Sequence, residues 1–258
     1  RKSVKLLKEN NFLGILLMSN PGRVFEKEYN DGKYTGDWKD DKRHGKGKMT
    51  YTNGKFEGQV YEGDWKYDKK NGYGILKWPE GQVYEGQWRN DKMNGYGKYI
   101  FSTGDIYEGY WKNGNKHGYG KTIFTDGQEY EGYWKDDKRN GYGILKVPHY
   151  TYKGEWKDDK RHGWGEESYE KLEEYYNYEG EFFEHVRHGY GKWEDPEHTY
   201  EGEWDKGQYV RYGKVIMKKD GSIAIGERDH TIDLENGLIK LQDGTIQFPE
   251  FSEDEDDY

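Results

Sequence analysis

The segment Tyr107-Glu108-Gly109-Tyr110-Trp111-Lys112-Asn113-Gly114-Asn115-Lys116-His117-Gly118-Tyr119-Gly120 decides how the rest of the chain is read. Tyr107, Gly109 and Trp111 fall at i, i+2 and i+4, which is one face of a strand, and the residues between them point the other way. A polar turn follows the Trp, and Gly118-Tyr119-Gly120 opens a second strand. The segment is expected to be a β-hairpin.

Working outward, Tyr-x-Gly-x-Trp recurs through most of the chain. The aromatic pairs are Tyr34 and Trp38, Tyr61 and Trp65, Tyr84 and Trp88, Tyr107 and Trp111, Tyr130 and Trp134, Tyr152 and Trp156, and Tyr200 and Trp204, with Tyr178 and Phe182 as a variant. The eight copies are spaced by 27, 23, 23, 23, 22, 26 and 22 residues, yet in seven of them a Gly-x-Gly begins 11 residues after the Tyr. In the eighth, Arg211 replaces the first Gly and Gly213 remains. Length variation therefore falls between the Gly-x-Gly and the next Tyr, so the 11-residue segment is the rigid part and the other connection a tolerant loop.

A single hairpin is marginal in water, so neighbouring hairpins must share their burial. The expected fold is all-β: an elongated single-layer antiparallel array of β-hairpin repeats, joined by a short N-terminal helix or cap. Tyr, Trp and Phe182 are its expected core. Composition agrees, since only 31% of the 258 residues are hydrophobic and 35% charged, while 26 Tyr, 10 Trp and 37 Gly supply what the aliphatics lack.

The organisation expected is a cap or partner-docking segment over residues 1–30, eight repeats over 31–214, a degenerate repeat or β cap over 215–250, and an acidic tail over 251–258. Leu6, Leu7, Phe12, Leu13, Ile15, Leu16, Leu17 and Met18 give the first segment its apolar character. The run Phe12 to Met18 is far below the ~18 residues a spanning helix needs. Two insertions, the pseudo-repeat Phe56-Glu57-Gly58 and the stretch from Glu170 to Asn177, are expected to project as loops and to offer partner contacts.

The net charge of −9 argues against a nucleic-acid partner. There is no Cys, hence no thiolate nucleophile or zinc site. His44, His117, His162 and His188 stand directly before the Gly-x-Gly where other copies carry Asn71, Asn94 and Asn140, which marks a turn hydrogen-bonder. His185 and His188 with Glu181 and Glu184 lack the spacing of a built metal site. The Gly-x-Gly pairs open no helix and carry no Walker Lys, so their repetition is structural. No catalytic residue, cofactor or metal is expected.

The residue after each Trp is basic at Lys39, Lys66, Arg89, Lys112, Lys135 and Lys157, and further cations follow at Lys42, Arg43, Lys69, Lys92, Lys138 and Lys160. Stacked, they predict a ridge of mixed charge along one edge. Asp residues beside them, such as Asp41, Asp68, Asp91, Asp137 and Asp159, make this a solubilising edge first and an edge for a charged protein or acidic lipid second.

Tyr107-Glu108-Gly109-Tyr110-Trp111 with Gly118-Tyr119-Gly120, and Tyr130-Glu131-Gly132-Tyr133-Trp134 with Gly141-Tyr142-Gly143, resemble the membrane occupation and recognition nexus (MORN) repeat. The resemblance covers about residues 34–213, with Thr35 and Lys153 in place of the usual Glu and Phe182 in place of Trp. It implies a non-catalytic scaffold for protein assembly whose partners are other subunits, with a homodimer also open. Members of the family serve cytoskeletal assemblies, and its most specific implication here is a radial spoke head in the axoneme of a cilium or flagellum. The location implied is cytoplasmic and cytoskeletal. A tether for phosphoinositides or other anionic membrane lipid, and a targeting module of a larger enzyme, are the alternatives it leaves.

Overall fold

The computed structural model describes residues 6–9, 12–15, 25–171, 174–219, 223–226, 233–235, 238–240 and 246–247. The acidic tail expected at 251–258 lies outside them. The chain divides into two units, Arg1–Lys138 and Arg139–Tyr258. In the first, Phe25–Tyr29, Gly32–Lys39, Lys42–Tyr51, Val60–Lys66, Lys69–Lys77, Val83–Arg89, Lys92–Ile100, Ile106–Lys112, Asn115–Ile123 and Glu129–Lys135 follow one another as an antiparallel sheet of consecutive hairpins. In the second, Lys138–Val147, Tyr150–Lys157, Lys160–Lys171, Glu174–Phe183, Val186–Glu194, His198–Asp205, Gln208–Met217 and Ile223–Gly226 do the same. Asp233–Glu235, Leu238–Lys240 and Ile246–Gln247 form a small sheet of their own.

Three expectations are corrected. Instead of a short N-terminal helix, Leu6–Glu9 and Phe12–Ile15 pair as an antiparallel hairpin; Phe12 and Ile15 favour a strand, and Gly14 disfavours a helix. The stretch from Glu170 to Asn177 is no projecting loop through most of its length. It lengthens the hairpin of Lys160–Lys171 and Glu174–Phe183, with Tyr169 opposite Tyr176 and their rings stacked at 5.3 Å. The turn after each Trp is shorter than the polar run implied, because the second strand begins at Lys42, Lys69 or Lys92, well before the Gly-x-Gly. The pseudo-repeat is a 3₁₀ turn, Gly54–Phe56, with Phe56 exposed.

These two-residue turns have φ above zero at both positions, as at Asp136 (50°) and Asp137 (70°) or Asn113 (55°) and Gly114 (99°). That is the primed geometry whose twist matches a hairpin, and Asp, Asn and Gly tolerate it best. The second turn residue also joins successive hairpins. Asp68 accepts the Arg43 backbone N–H through Oδ1 at 3.0 Å and returns its own N–H to the Arg43 carbonyl at 3.0 Å. Asp91 with Lys70, Asp137 with Lys116 and Asp159 with Arg139 repeat the bracket.

The core is a layer of rings laid on glycine. Gly36 faces Gly47, Gly63 faces Gly74, Gly86 faces Gly97 and Gly109 faces Gly120 in the first unit, and Gly154 faces Gly165, Gly180 faces Gly191 and Gly202 faces Gly213 in the second. The ring of the preceding Tyr lies across each pair, fully buried at Tyr34, Tyr61, Tyr84, Tyr107 and Tyr152. A Cβ on Gly97 would sit 2.6 Å from Cζ of Tyr84, so only Gly leaves room for the ring. Each such Tyr donates its hydroxyl to the carbonyl three residues on, as Tyr84 to Gln87 at 2.9 Å and Tyr178 to Glu181 at 3.0 Å.

Gly97→Ala is expected to cost roughly 3 kcal/mol or more by overpacking. Gly127→Ala, at φ 92° with open space around it, should cost only the left-handed strain of about 1–2 kcal/mol. Urea denaturation of the two variants reads the order, and a Gly97→Ala milder than Gly127→Ala would contradict the ring-on-glycine packing.

Candidate functional site

The ring face is closed by its own contacts. In the first unit Tyr34, Tyr61, Tyr84 and Tyr107 each meet the Trp of their own copy and that of the next, edge to face: Tyr84 is 5.1 Å from Trp88 and 5.6 Å from Trp111, and Tyr107 is 5.0 Å from Trp111 and 5.5 Å from Trp134. In the second unit Tyr152 meets Trp156 and Phe182, Tyr178 meets Phe182 and Trp204, and Tyr200 meets Trp204. The indole N–H of Trp65, Trp88, Trp111, Trp134, Trp156 and Trp204 donates to the carbonyl of the second Gly in the preceding Gly-x-Gly, for example Trp88 to Gly74 at 3.1 Å. Trp38, with no Gly-x-Gly before it, keeps a buried N–H without a partner.

A cation covers the ring stack in most copies, and this the sequence reading missed. Arg43, expected on the exposed edge, is corrected: its guanidinium lies 4.3 Å from the Trp65 ring and its Nε 3.2 Å from Asp68 Oδ1. Lys70 over Trp88, Lys116 over Trp134, Arg139 over Trp156 and Arg187 over Trp204 occupy the same place, at 4.1–5.4 Å. The available signal is a basic residue two positions before the Gly-x-Gly in six of eight copies. Burial pushes the Lys70 ammonium down to about 8, against the pull of Asp91.

The second unit adds a buried ion cluster. The position opposite the ring-face Tyr is Met49, Leu76 or Val215 in other copies, but Glu167 in the sixth, 4% exposed. Its carboxylate accepts from Arg187 Nε at 2.5 Å, Arg161 at 2.9 Å and the Tyr150 hydroxyl at 2.9 Å. Burial works to raise its pKa, but the two guanidinium groups prevail and hold it below the ordinary glutamate range.

The remaining edge cations are placed as like-charged pairs flanking the turns: Lys39 is opposite Lys42, Lys66 opposite Lys69, Arg89 opposite Lys92 and Lys157 opposite Lys160. Lys112 faces Asn115, and Lys135 and Lys138 are exposed. Lys160 reaches Glu184 at 3.0 Å. The four histidines sit on the second strand, beyond the turn expected for them, and reach the turn of the next hairpin or the strand end beside it: His44 lies 4.8 Å from the Tyr67 ring and His188 Nδ1 3.3 Å from Asp205. Among the described residues no three His, Asp or Glu groups are arranged to hold a metal ion.

The opposite face carries a second set of rings that the core does not use. Tyr73, Tyr96, Tyr110, Tyr119 and Tyr133 in the first unit are 47–52% exposed, and Tyr142, Trp164 and Tyr190 in the second hold the position of Tyr73, Tyr96 and Tyr119. Tyr96 faces Tyr110 and Tyr119 faces Tyr133 across the strands, each pair at 5.5 Å and 77°. The hydroxyls of Tyr73, Tyr96 and Tyr119, between the paired glycines, are pinned: Tyr96 donates to Glu108 at 2.9 Å, Tyr119 to Glu131 at 2.7 Å, and Tyr73 to Glu85.

The MORN repeat model matches residues 34–56, 61–83, 84–106, 107–129, 130–146, 152–171, 178–199 and 200–216, well over half of the chain. No curated protein matches. Among solved structures, the TCP domain of SAS-4 (dCPAP) of Drosophila melanogaster, in complex with a proline rich motif of Ana2 (dSTIL), is 12% identical over 83% of this chain and 97% of that one, with a TM-score of 0.34. A streptogramin B lyase is 12% identical over 90% and 91%, with a TM-score of 0.15. At these scores neither bears on function.

Two predictions follow from the buried groups. Burial lifts the hydroxyl pKa of Tyr34, Tyr61, Tyr84, Tyr107, Tyr152, Tyr178 and Tyr200 far above the usual tyrosine value. Above pH ~10 the unfolded chain loses these protons and the folded chain keeps them, so stability falls by about 1.4 kcal/mol per pH unit for each tyrosine. Lys70 acts in the opposite sense between pH ~8 and ~10.4, where the unfolded chain holds the proton that the folded chain has lost. Absorbance at 295 nm should show these tyrosines titrating only in one cooperative step with loss of circular dichroism; titration of all tyrosines in a folded chain would refute the buried ring layer. Glu167→Ala should cost roughly 3–5 kcal/mol in urea denaturation by stranding two buried guanidinium groups, whereas the exposed neighbour Glu166→Ala should stay within about 0.5 kcal/mol.

Proposed function

Because the chain belongs to the MORN-repeat family, we propose that it is a non-catalytic scaffold holding other protein subunits of a cytoskeletal assembly. An all-β array of MORN repeats is a binding scaffold, generally without catalysis, and such repeats mediate protein or membrane interactions. The observation that carries the protein version is the row of half-exposed tyrosines on the face opposite the core. A rigid aromatic side chain presents large apolar area and loses little entropy on binding. Here Tyr73, Tyr96 and Tyr119 are already held by carboxylates, so less ordering remains to oppose association.

The specific assembly proposed is the radial spoke head of an axoneme, in the cytoplasm of a cilium or flagellum. In-cell cross-linking followed by mass spectrometry should recover axonemal subunits joined to the chain, and a tagged copy should decorate the axoneme in fluorescence microscopy. Recovery of no cytoskeletal protein, with signal elsewhere in the cell, would overturn this reading.

The like-charged pairs at the hairpin ends favour a second reading, a tether to anionic membrane. Lysines placed directly opposite one another repel, a cost that an anionic surface would relieve. The turn aspartates beside them offset that attraction. Flotation with vesicles containing phosphatidylserine and phosphoinositide should show binding that is lost in Lys66→Ala/Lys69→Ala; equal flotation with neutral vesicles removes the tether.

A further inference from the structure

The exposed tyrosines recur with the period of the fold. Tyr73, Tyr96 and Tyr119 hold one position in successive hairpins, as do Tyr110 and Tyr133. Equivalent rings are two strands apart, or ~9.6 Å at ~4.8 Å per strand. An extended partner lying across the strands meets this row in step only if its own surface repeats at that distance. A polyproline II helix repeats every three residues, ~9.3 Å at ~3.1 Å per residue, and returns the same face to the surface each time. An α-helix comes back after seven residues at ~10.5 Å and drifts by about 1 Å at every ring. A β-strand presents alternate residues to opposite faces, so its every third residue changes side.

Three further observations agree. The pairs Tyr96–Tyr110 and Tyr119–Tyr133 have the same edge-to-face geometry, 5.5 Å and 77°, so each makes a notch with one ring as wall and the other as floor. Glu85, Glu108 and Glu131 stand beside the hydroxyls of Tyr73, Tyr96 and Tyr119, where a basic residue between prolines would meet them. A groove beside Tyr73 is lined by Asn71, Gln87 and Asn94. Their amides can donate to carbonyls, which a polyproline II chain leaves without internal partners.

We propose that the row Tyr73, Tyr96, Tyr110, Tyr119 and Tyr133 is a docking track for a proline-rich protein segment in the polyproline II conformation, laid across the strands with a proline at every third residue and basic residues between. The proposal rests on the scaffold reading and supplies the class of its partner.

The test is fluorescence anisotropy of a labelled peptide of five Pro-Pro-Arg triplets, titrated with the full chain at 0.15 M and 0.5 M salt. A peptide of five Ala-Ala-Arg triplets, equal in length and charge but helix-forming, is the control. Saturable binding of the proline peptide at both salts, at least tenfold tighter than the control, is expected. Tyr96→Ala/Tyr119→Ala should weaken it at least tenfold with unchanged circular dichroism, since both rings lie outside the core, while Lys42→Ala should leave it unaltered. Equal or tighter binding of the alanine peptide assigns the row to a helix or to charge alone and overturns the proposal. So does binding that ignores the tyrosine variant, or no saturable binding at all. Sedimentation showing a dimer that the tyrosine variant dissolves would give the row to a second copy of the chain and equally overturn it. Cross-links from this face to a partner without proline-rich sequence would leave the scaffold standing and remove only the proline track.

Discussion

The structure depends on a tyrosine ring lying flat on two glycines. A single sheet has no second layer to bury its face against, and the usual remedy of packing a helix or another sheet is absent from these repeats. Here the side chains themselves supply the layer: the ring covers the Gly pair, the hydroxyl ties back to the carbonyl three residues on, and an indole seals each edge while donating to the preceding copy. Every part of that contact refers to a fixed place along one hairpin. This is why the distance from Tyr to Gly-x-Gly does not vary, whereas the connection to the next Tyr, which lies outside the ring-on-glycine contact, does.

That constraint was also the legible part. Tyr, Gly and Trp at i, i+2 and i+4 announce one face of a strand, and their recurrence separates core aromatics from the remaining rings. What stayed hidden were contacts between copies. Arg43 reads as one more cation in a charged run, and only the stacking of hairpins brings it over Trp65. Asp68 looks like surface charge, yet its carboxylate is held by the backbone of the previous hairpin. The turn length was obscured because Lys42 and Arg43 are as polar as the turn they leave. The N-terminal apolar run carried no period, so residue preference alone had to choose between helix and strand.

The two faces divide the work. On the ring face, substitution is narrow, and the residues across from the tyrosines are mostly apolar. On the other face the residue between the two glycines is Lys46, Tyr73, Tyr96, Tyr119, Tyr142, Trp164 or Tyr190, exposed in every one of these copies. Core packing does not require aromatic character there, as Lys46 shows by pairing with Asp64 instead. Six exposed rings at one such position are surplus to folding and are the feature most naturally assigned to binding.

The sixth and seventh copies show what happens when the ring contact is weakened. Phe182 fills the place of a Trp and has no N–H to offer the preceding glycine. Beside it, the position that is Met49 or Leu76 elsewhere becomes Glu167, held between Arg161 on its own strand and Arg187 on the strand Val186–Glu194, with Tyr150 closing the group. Desolvating three charges gives little net stability, so the cluster is poorly explained as a substitute for burial. Its geometry is demanding instead: a slip of one residue in any of these strands would send one of the group's members to the opposite face. The hairpin of Lys160–Lys171 and Glu174–Phe183 has the longest register among the described strands, and it is here, where a long ladder offers the most alternative pairings, that the fold replaces an adaptable apolar contact with one that only the native register satisfies.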